Sequence, residues 1–281
     1  MDLIRKPLYI IGLVLLLLFV IRGFVSIGYK KRVNKNINIL KTNQGDFTNK
    51  DISIKDLKHL PINVQKWLIR SGILGRKRSS YVYIEQKGEM RLDENSDKWI
   101  FASSKQFAGI VMPGFVWQVK AAFIPFINMY GMDSFVDGVG SLEMRLFNLV
   151  KVANIKDKVK VNQSTFARYM LELTWYPEAA LNENMKWEEV DEYTARVKMS
   201  HHGIDGEAYL YFNEDYDVIK TSAMRYKDTD EAGELLECLG ESKDFAVFDG
   251  LRIPSELHIS WMLPEGEFTW YKLRVEKVTY K

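Results

Sequence analysis

The sequence predicts an α+β protein: an N-terminal transmembrane helix followed by a curved, half-barrel-like antiparallel β-sheet packed on two or three helices. Three observations lead there. An unbroken run of fourteen apolar residues, LYIIGLVLLLLFVI, occupies positions 8–21. From residue 80 onward apolar residues recur with period two, the mark of strands with one dry and one wet face. Helical periodicity interrupts that series once, in NQSTFARYMLELTWYPEAAL at 162–181.

The apolar run alone is short for a bilayer, but GFVSIGY beyond Arg22 extends it to 22 residues, 8–29, which is enough to span. Arg22 is near enough to the Lys30, Lys31, Arg32 cluster to reach the headgroups. RGFVSIGYKKR offers no small-residue cleavage site, so the expectation is a retained single-pass anchor in the cell membrane. Lys35 and Lys41 make the C-terminal flank the more basic, which leans toward a cytoplasmic domain. Residues 1–7 are then a flank, 30–55 a polar stalk without sustained apolar period, and 56–281 a single mostly β domain.

Within that domain, LPINVQKWLIRSGILG reads as a short helix, with Val64, Trp67 and Leu68 on one face and Gly72 closing it. YTARVKM, IDGEAYLYF, LRIPSELHISW and YKLRVE alternate as strands separated by turns at NED, FDG and PEGE, within a sheet of ten to twelve strands. Pro254 marks an edge or a bulge. In the 162–181 helix, Phe166, Met170 and Leu173 share a face, Asn162 can cap the start, and Pro177 ends or kinks it.

Composition excludes several functions. The first 32 residues carry a net charge of +5 and the remainder −3, so the domain presents no broad basic surface for nucleic acid. Cys238 is the single cysteine, which excludes an internal disulfide or a multi-cysteine metal site. His201 and His202 point to opposite faces of a strand, no zincin or phosphate-loop motif is present, and neither metal nor cofactor is expected.

Alternation fails at 107–135, FAGIVMPGFVWQVKAAFIPFINMYGMDSF, where 19 of 29 residues are apolar and only Lys120 and Asp133 are charged. Either these are central strands buried on both faces, or they form an apolar wall against a ligand or the membrane surface. On the second reading Phe115, Trp117, Phe123, Phe126, Met129, Tyr130, Met132, Trp175 and Tyr176 would line a site for a lipid or hydrophobic small molecule. Asp137, Arg145, Glu178 and Asp249 are the polar candidates, for salt bridges, turn caps, or acid–base chemistry if the protein is instead an enzyme. A scaffold in a membrane assembly, with an apolar patch on the outer face of the sheet, is the third alternative.

The ordered set GEMR (88–91), PGFVW (113–117), VDGVGSLEMRLFNLVKVA (136–153), RYMLELTWYP (168–177) and FDGLRIPSELHISW (248–261) resembles a bacterial family of uncharacterised proteins. That family is a domain of unknown function often preceded by one transmembrane helix. The resemblance covers about residues 55–280 and brings no catalytic residues with it. The closing pattern, DG-x-x-x-P, an alternating strand, a turn and another strand, also resembles the lipoprotein-carrier (LolA-like) half-barrels. That likeness implies a sheet wrapped around helices and holding acyl chains, although such carriers are secreted and soluble.

Overall fold

The computed structural model describes residues 2–45, 51–124, 127–228 and 233–281; the side chains of 2–12, 14, 15, 18 and 19 lie outside the described residues. Four α-helices, α1 (Asp2–Asn43), α2 (Ile54–Leu57), α3 (Ile62–Ser71) and α4 (Val159–Leu171), accompany thirteen strands. These are β1 (Tyr81–Met90), β2 (Ile100–Gly109), β3 (Gly114–Ile124), β4 (Ile127–Val136), β5 (Val139–Leu146) and β6 (Val150–Lys156) before α4. After it come β7 (Met185–Asp191), β8 (Thr194–His201), β9 (Ile204–Phe212), β10 (Val218–Tyr226), β11 (Leu235–Phe248), β12 (Leu251–Leu263) and β13 (Gly266–Tyr280). All belong to one antiparallel sheet in the order β6-β5-β4-β3-β2-β1-β13-β12-β11-β10-β9-β8-β7.

Each half of the sheet is a meander, and the two halves meet where the first strand pairs with the last. The alternation fixes which face is dry: Ala195, Val197, Met199, Ala208, Leu210, Leu257, Leu273 and Val275 are buried together in one core. Tyr193 departs from the pattern and is exposed at the β7–β8 turn. Pro254 sits opposite Phe245, next to a register shift between β11 and β12, so it occupies a bulge.

The sheet curls around α4, which touches β4 and β5 on one arm and β9 and β10 on the other. At one end the arms meet: Nε2 of His202 lies 3.4 Å from the Asp137 carboxylate, and a Cβ on Gly138 would fall 2.6 Å from that of His202. Gly138 has φ +77°, so glycine there suits both the turn and the close approach. Asn162 lies inside α4 rather than capping it; its side-chain oxygen accepts from the Gly140 amide at 2.8 Å and fastens the helix to β5. The helix tightens into a 3-10 turn at Glu172–Trp175, and a second 3-10 turn starts at Pro177. With α3, whose Trp67 packs on Trp187 and Phe212, these elements fill the concave side.

The segment expected as a polar stalk is the main departure. Residues 30–43 continue α1, and the helix lies along the convex face of β2–β4. Tyr29, Val33 and Leu40 are buried there against Phe107, Val116, Met132 and Val136. The Tyr29 hydroxyl donates to the Gly131 carbonyl at 3.1 Å, and the Gln44 side-chain oxygen accepts from the Val111 and Met112 amides. Tyr29, Val33, Ile37 and Leu40 recur at i, i+4, i+8 and i+11, a helical stripe that becomes legible only when the Lys and Asn between them are set on the opposite face. Among the described residues no helix is long and apolar enough to cross a membrane; most side chains of the 8–21 run lie outside that description.

Two expectations follow. Leu40→Ala should cost about 2–5 kcal/mol, read as a lowered melting temperature with protease cleavage appearing first in α1. His201 is buried against Phe135 and Phe166, and burial, aided by His202 and opposed by Asp137, pushes its imidazole down to about 4. The unfolded-state value, about 6.5, is higher, so the stabilisation by neutral His201 is full above that pH and is lost as pH falls toward 4. His201→Phe should therefore flatten the acid limb of stability, measured as urea midpoints between about pH 7 and pH 4.

Candidate functional site

Between the concave face and the end of α4 lies a cavity of about 290 Å³, near the lower end of the roughly 300–1,000 Å³ found for ligand pockets. Its walls are Trp117, Val119, Met129, Leu142 and Met144 from β3–β5, and Leu257, Ile259, Trp261 and Tyr271 from β12 and β13. Leu171 and Trp175 close it from the helix side. Leu92, Met144, Lys227 and Trp270 are partly or largely exposed and form the rim, whereas Trp175 and Cys238 are buried deep within.

At the inner end a largely buried ionic knot is built on Arg168 of α4, whose side chain is 14% exposed. Its guanidinium donates to Asp133 at 2.7 Å and to Glu172 at 2.8 Å, and also reaches the side-chain oxygen of Gln106. It lies over the rings of Phe115 and Trp117, 4.8 and 4.7 Å from their centroids. Burial opposes its charge, but Glu172 and Asp133 more than offset this and hold the proton firmly. The i, i+4 spacing of Arg168 and Glu172 places both on one face of the helix turn. Burial pushes the Cys238 thiol up despite Arg225 beside it, so it stays protonated and contributes packing rather than chemistry.

Four polar atoms around this cavity make no hydrogen bond within the protein: Nε2 of Gln86, Oδ1 of Asp133, Oγ1 of Thr174 and Nε1 of Trp270. Gln86 is held from its other side by the Ser104 hydroxyl, which also meets Tyr271. Such buried groups are rare and costly unless something in the cavity pairs with them. They comprise two donors, one acceptor and one hydroxyl able to act as either.

The residues singled out from sequence distribute unevenly. Trp117, Met129 and Trp175 line the cavity. Phe115 and Tyr176 are fully buried behind it, the Tyr176 hydroxyl donating to the Tyr169 carbonyl. Met132 does not join them; strand alternation turns it to the convex face, beneath α1. Tyr130 is on that same alternation, opposite Lys120 and Arg145, and outside the cavity lining. Phe123 is exposed at the end of β3, and Phe126 lies outside the described residues.

The polar candidates occupy separate places. Asp137 pairs with His202 at the seam, and Arg145 is buried on Glu143, beneath α1. Burial opposes ionisation of Glu143, but Arg145 and Arg32 more than offset it and keep the carboxyl below its usual range. Glu178 accepts from the Ser79 amide and lies 3.7 Å from Arg76, which also donates to the Asp249 carbonyl. The Asp249 carboxylate accepts from the Tyr280 amide, so Glu178 and Asp249 clamp the last strand rather than face a cleft. Among the described residues no three His, Cys, Asp or Glu side chains gather as a metal would require.

Sequence reasoning missed Arg168, Gln86, Thr174, Arg225, Met144 and Trp270. Gln86 left a readable trace, because it breaks an inward series of Val82, Ile84 and Met90 with an amide. Trp175 is only 2% exposed and its indole nitrogen donates to the Pro254 carbonyl at 3.2 Å. Trp175→Ala should cost about 3–5 kcal/mol, the range for deleting a large core aromatic, measured by thermal melts. A melt equal to the parent's would mean that the indole is not part of the packed core.

No curated protein matches the sequence. A solved structure, the LolA superfamily protein NE2245 from Nitrosomonas europaea, is similar at a TM-score of 0.43 and 10% identity, covering 79% of this chain and 94% of that one. Residues 58–280, the sheet with its enclosed helices, match the model of a family described as a family of unknown function (DUF6920), and the chain belongs to that family.

Proposed function

We propose that this protein is a membrane-anchored binding protein whose cavity takes up one amphipathic molecule, a lipid or a compound like it. The observation that carries this reading is the cavity itself: walls of Trp, Met and Leu, with buried polar atoms at Gln86, Asp133 and Thr174 that find no partner in the protein. An apolar chain suits the walls, and a polar group that both donates and accepts suits the atoms without partners. The charges nearby are balanced, Arg168 and Arg225 against Asp133 and Glu172 and the rim Lys227 against Glu94, so an uncharged group such as a hydroxyl, amide or ester fits best. A charged headgroup would have to be desolvated without a free counterion.

The anchor in this reading is the 8–29 stretch within α1, supported by its fourteen-residue apolar run and the basic residues on both flanks. The heavier C-terminal flank favours a cytoplasmic domain.

Organic extraction of the purified full chain, followed by mass analysis, should recover a stoichiometric amphipathic species without a charged group. Met144→Trp places an indole across the rim of the cavity and should abolish that recovery while leaving the melt close to that of the parent. Equal recovery from both proteins would overturn the assignment of the cavity as the site.

A further inference from the structure

The cavity is one feature of the open end of the sheet; the hairpins around it are another. The β3–β4 and β5–β6 hairpins end side by side, since the Phe147 amide donates to the Asn128 carbonyl at 2.9 Å. Their ends expose Phe123, Ile124, Phe147 and Val150, large apolar side chains between 39% and 56% accessible. Among the described residues nothing covers them fully. Single exposed apolar residues are ordinary, but four at adjoining hairpin ends are a patch.

The direction of α1 identifies what this patch meets. Leu40 abuts Gly114, whose added Cβ would lie 2.4 Å from a leucine methyl, and Tyr29 bonds to Gly131, the partner of Val119. Eleven helical residues and five strand residues both cover about 16 Å, so helix and strand run alongside each other. Another five residues take β3 from Val119 to Ile124, and about eleven more take α1 from Tyr29 back to position 18. The hairpin end is thus level with the C-terminal half of the apolar run. On α1, Phe24 and Ile27 are exposed between this level and that of Tyr29.

Cations flank the patch. Lys120 on β3 and Arg22, Lys30 and Lys31 on α1 are all exposed. Apolar tips with lysine and arginine set back from them match the layering of an anionic bilayer surface, acyl chains first and phosphates next. Of the rim residues, Leu92 is exposed just past the end of β1 and the half-buried Met144 is on β5, toward this same end of the sheet.

We infer that the β3–β4 and β5–β6 hairpin ends form a second membrane contact, dipping below the headgroups into the acyl layer of an anionic bilayer beside α1, with Lys30, Lys31 and Lys120 at the phosphates and the cavity rim turned toward that leaflet. The inference rests on the reading of 8–29 as a membrane anchor. It adds to that reading a fixed posture: the sheet stands on the bilayer with its open end down and the Asp137–His202 seam away from it.

The test uses the full chain in phosphatidylcholine–phosphatidylglycerol vesicles containing a spin-labelled lipid quencher. An environment-sensitive fluorophore is attached at one of four positions: Leu16→Cys in α1, Phe123→Cys, Phe147→Cys, or Ser200→Cys near the seam. Cys238 is fully buried and does not compete for the label under native conditions. Loss of fluorescence at 16, 123 and 147, with none at 200, is the expected result. Quenching at 16 but at neither hairpin position would overturn the second contact and leave the anchor standing. Quenching at the hairpins without quenching at 16 would support the contact and remove the anchor. Hairpin labels shielded from aqueous quencher yet untouched by the lipid quencher would show a second copy of the chain on the patch, and would also overturn the inference.

Discussion

The architecture turns on one largely buried cation. Arg168 stands inside the curl of the sheet, where a lone guanidinium would be prohibitively expensive. It is tolerated because β4 brings Asp133 and the next helical turn brings Glu172 to within hydrogen-bond distance, while two aromatic faces cover what remains. These partners come from sequence positions far apart, so the knot can form only when the sheet has curved around α4. Removing either carboxylate would break one of the two charged hydrogen bonds and leave the other carboxylate as the single counter-charge. The same knot makes the inner end of the cavity polar.

The convex face obeys a different constraint. A sheet of thirteen strands cannot leave an apolar face in water, and β2–β4 carry apolar side chains on both sides. Helix α1 resolves this by covering Phe107, Val116 and Met132, and Glu143 pins it through Arg32 while holding Arg145 at 2.6 Å. Gly114 is part of the arrangement, because a Cβ there would meet Leu40. Residues 29–43 of α1 are therefore packed on the sheet rather than forming a loose tether.

Much of the sheet could be read from the sequence, because period-two alternation is a direct consequence of a half-buried strand. Inward residues from Ala195 to Val275 fell where the pattern put them, and Pro254 announced a bulge. The strands at 107–135 are buried on both faces, Trp117 and Met129 on the cavity side and Met132 and Val116 under α1. What alternation cannot reveal is which distant elements meet. Nothing local marked Arg168 as the partner of Asp133, and the i, i+4, i+8, i+11 spacing of Tyr29, Val33, Ile37 and Leu40 marks a helix face without saying which strands it covers. The thirteenth strand and the seam at His202 were hidden for the same reason: closure of a sheet is a non-local event.

The polar atoms without partners give the cavity its thermodynamic character. A donor or acceptor buried without a bond costs roughly 1–3 kcal/mol, and Gln86, Asp133 and Thr174 each carry one. A purely apolar occupant would leave that cost in place, and water alone would satisfy the polar end while wetting the Trp and Met walls. Only a molecule polar at one end and apolar along its length relieves both. Whatever binds the folded form in preference to the unfolded one stabilises it in proportion to the logarithm of its concentration over its dissociation constant. On the proposed reading, occupancy and fold stability would be coupled at the Arg168 end, where the helix turn bearing Glu172 and Thr174 packs on the sheet.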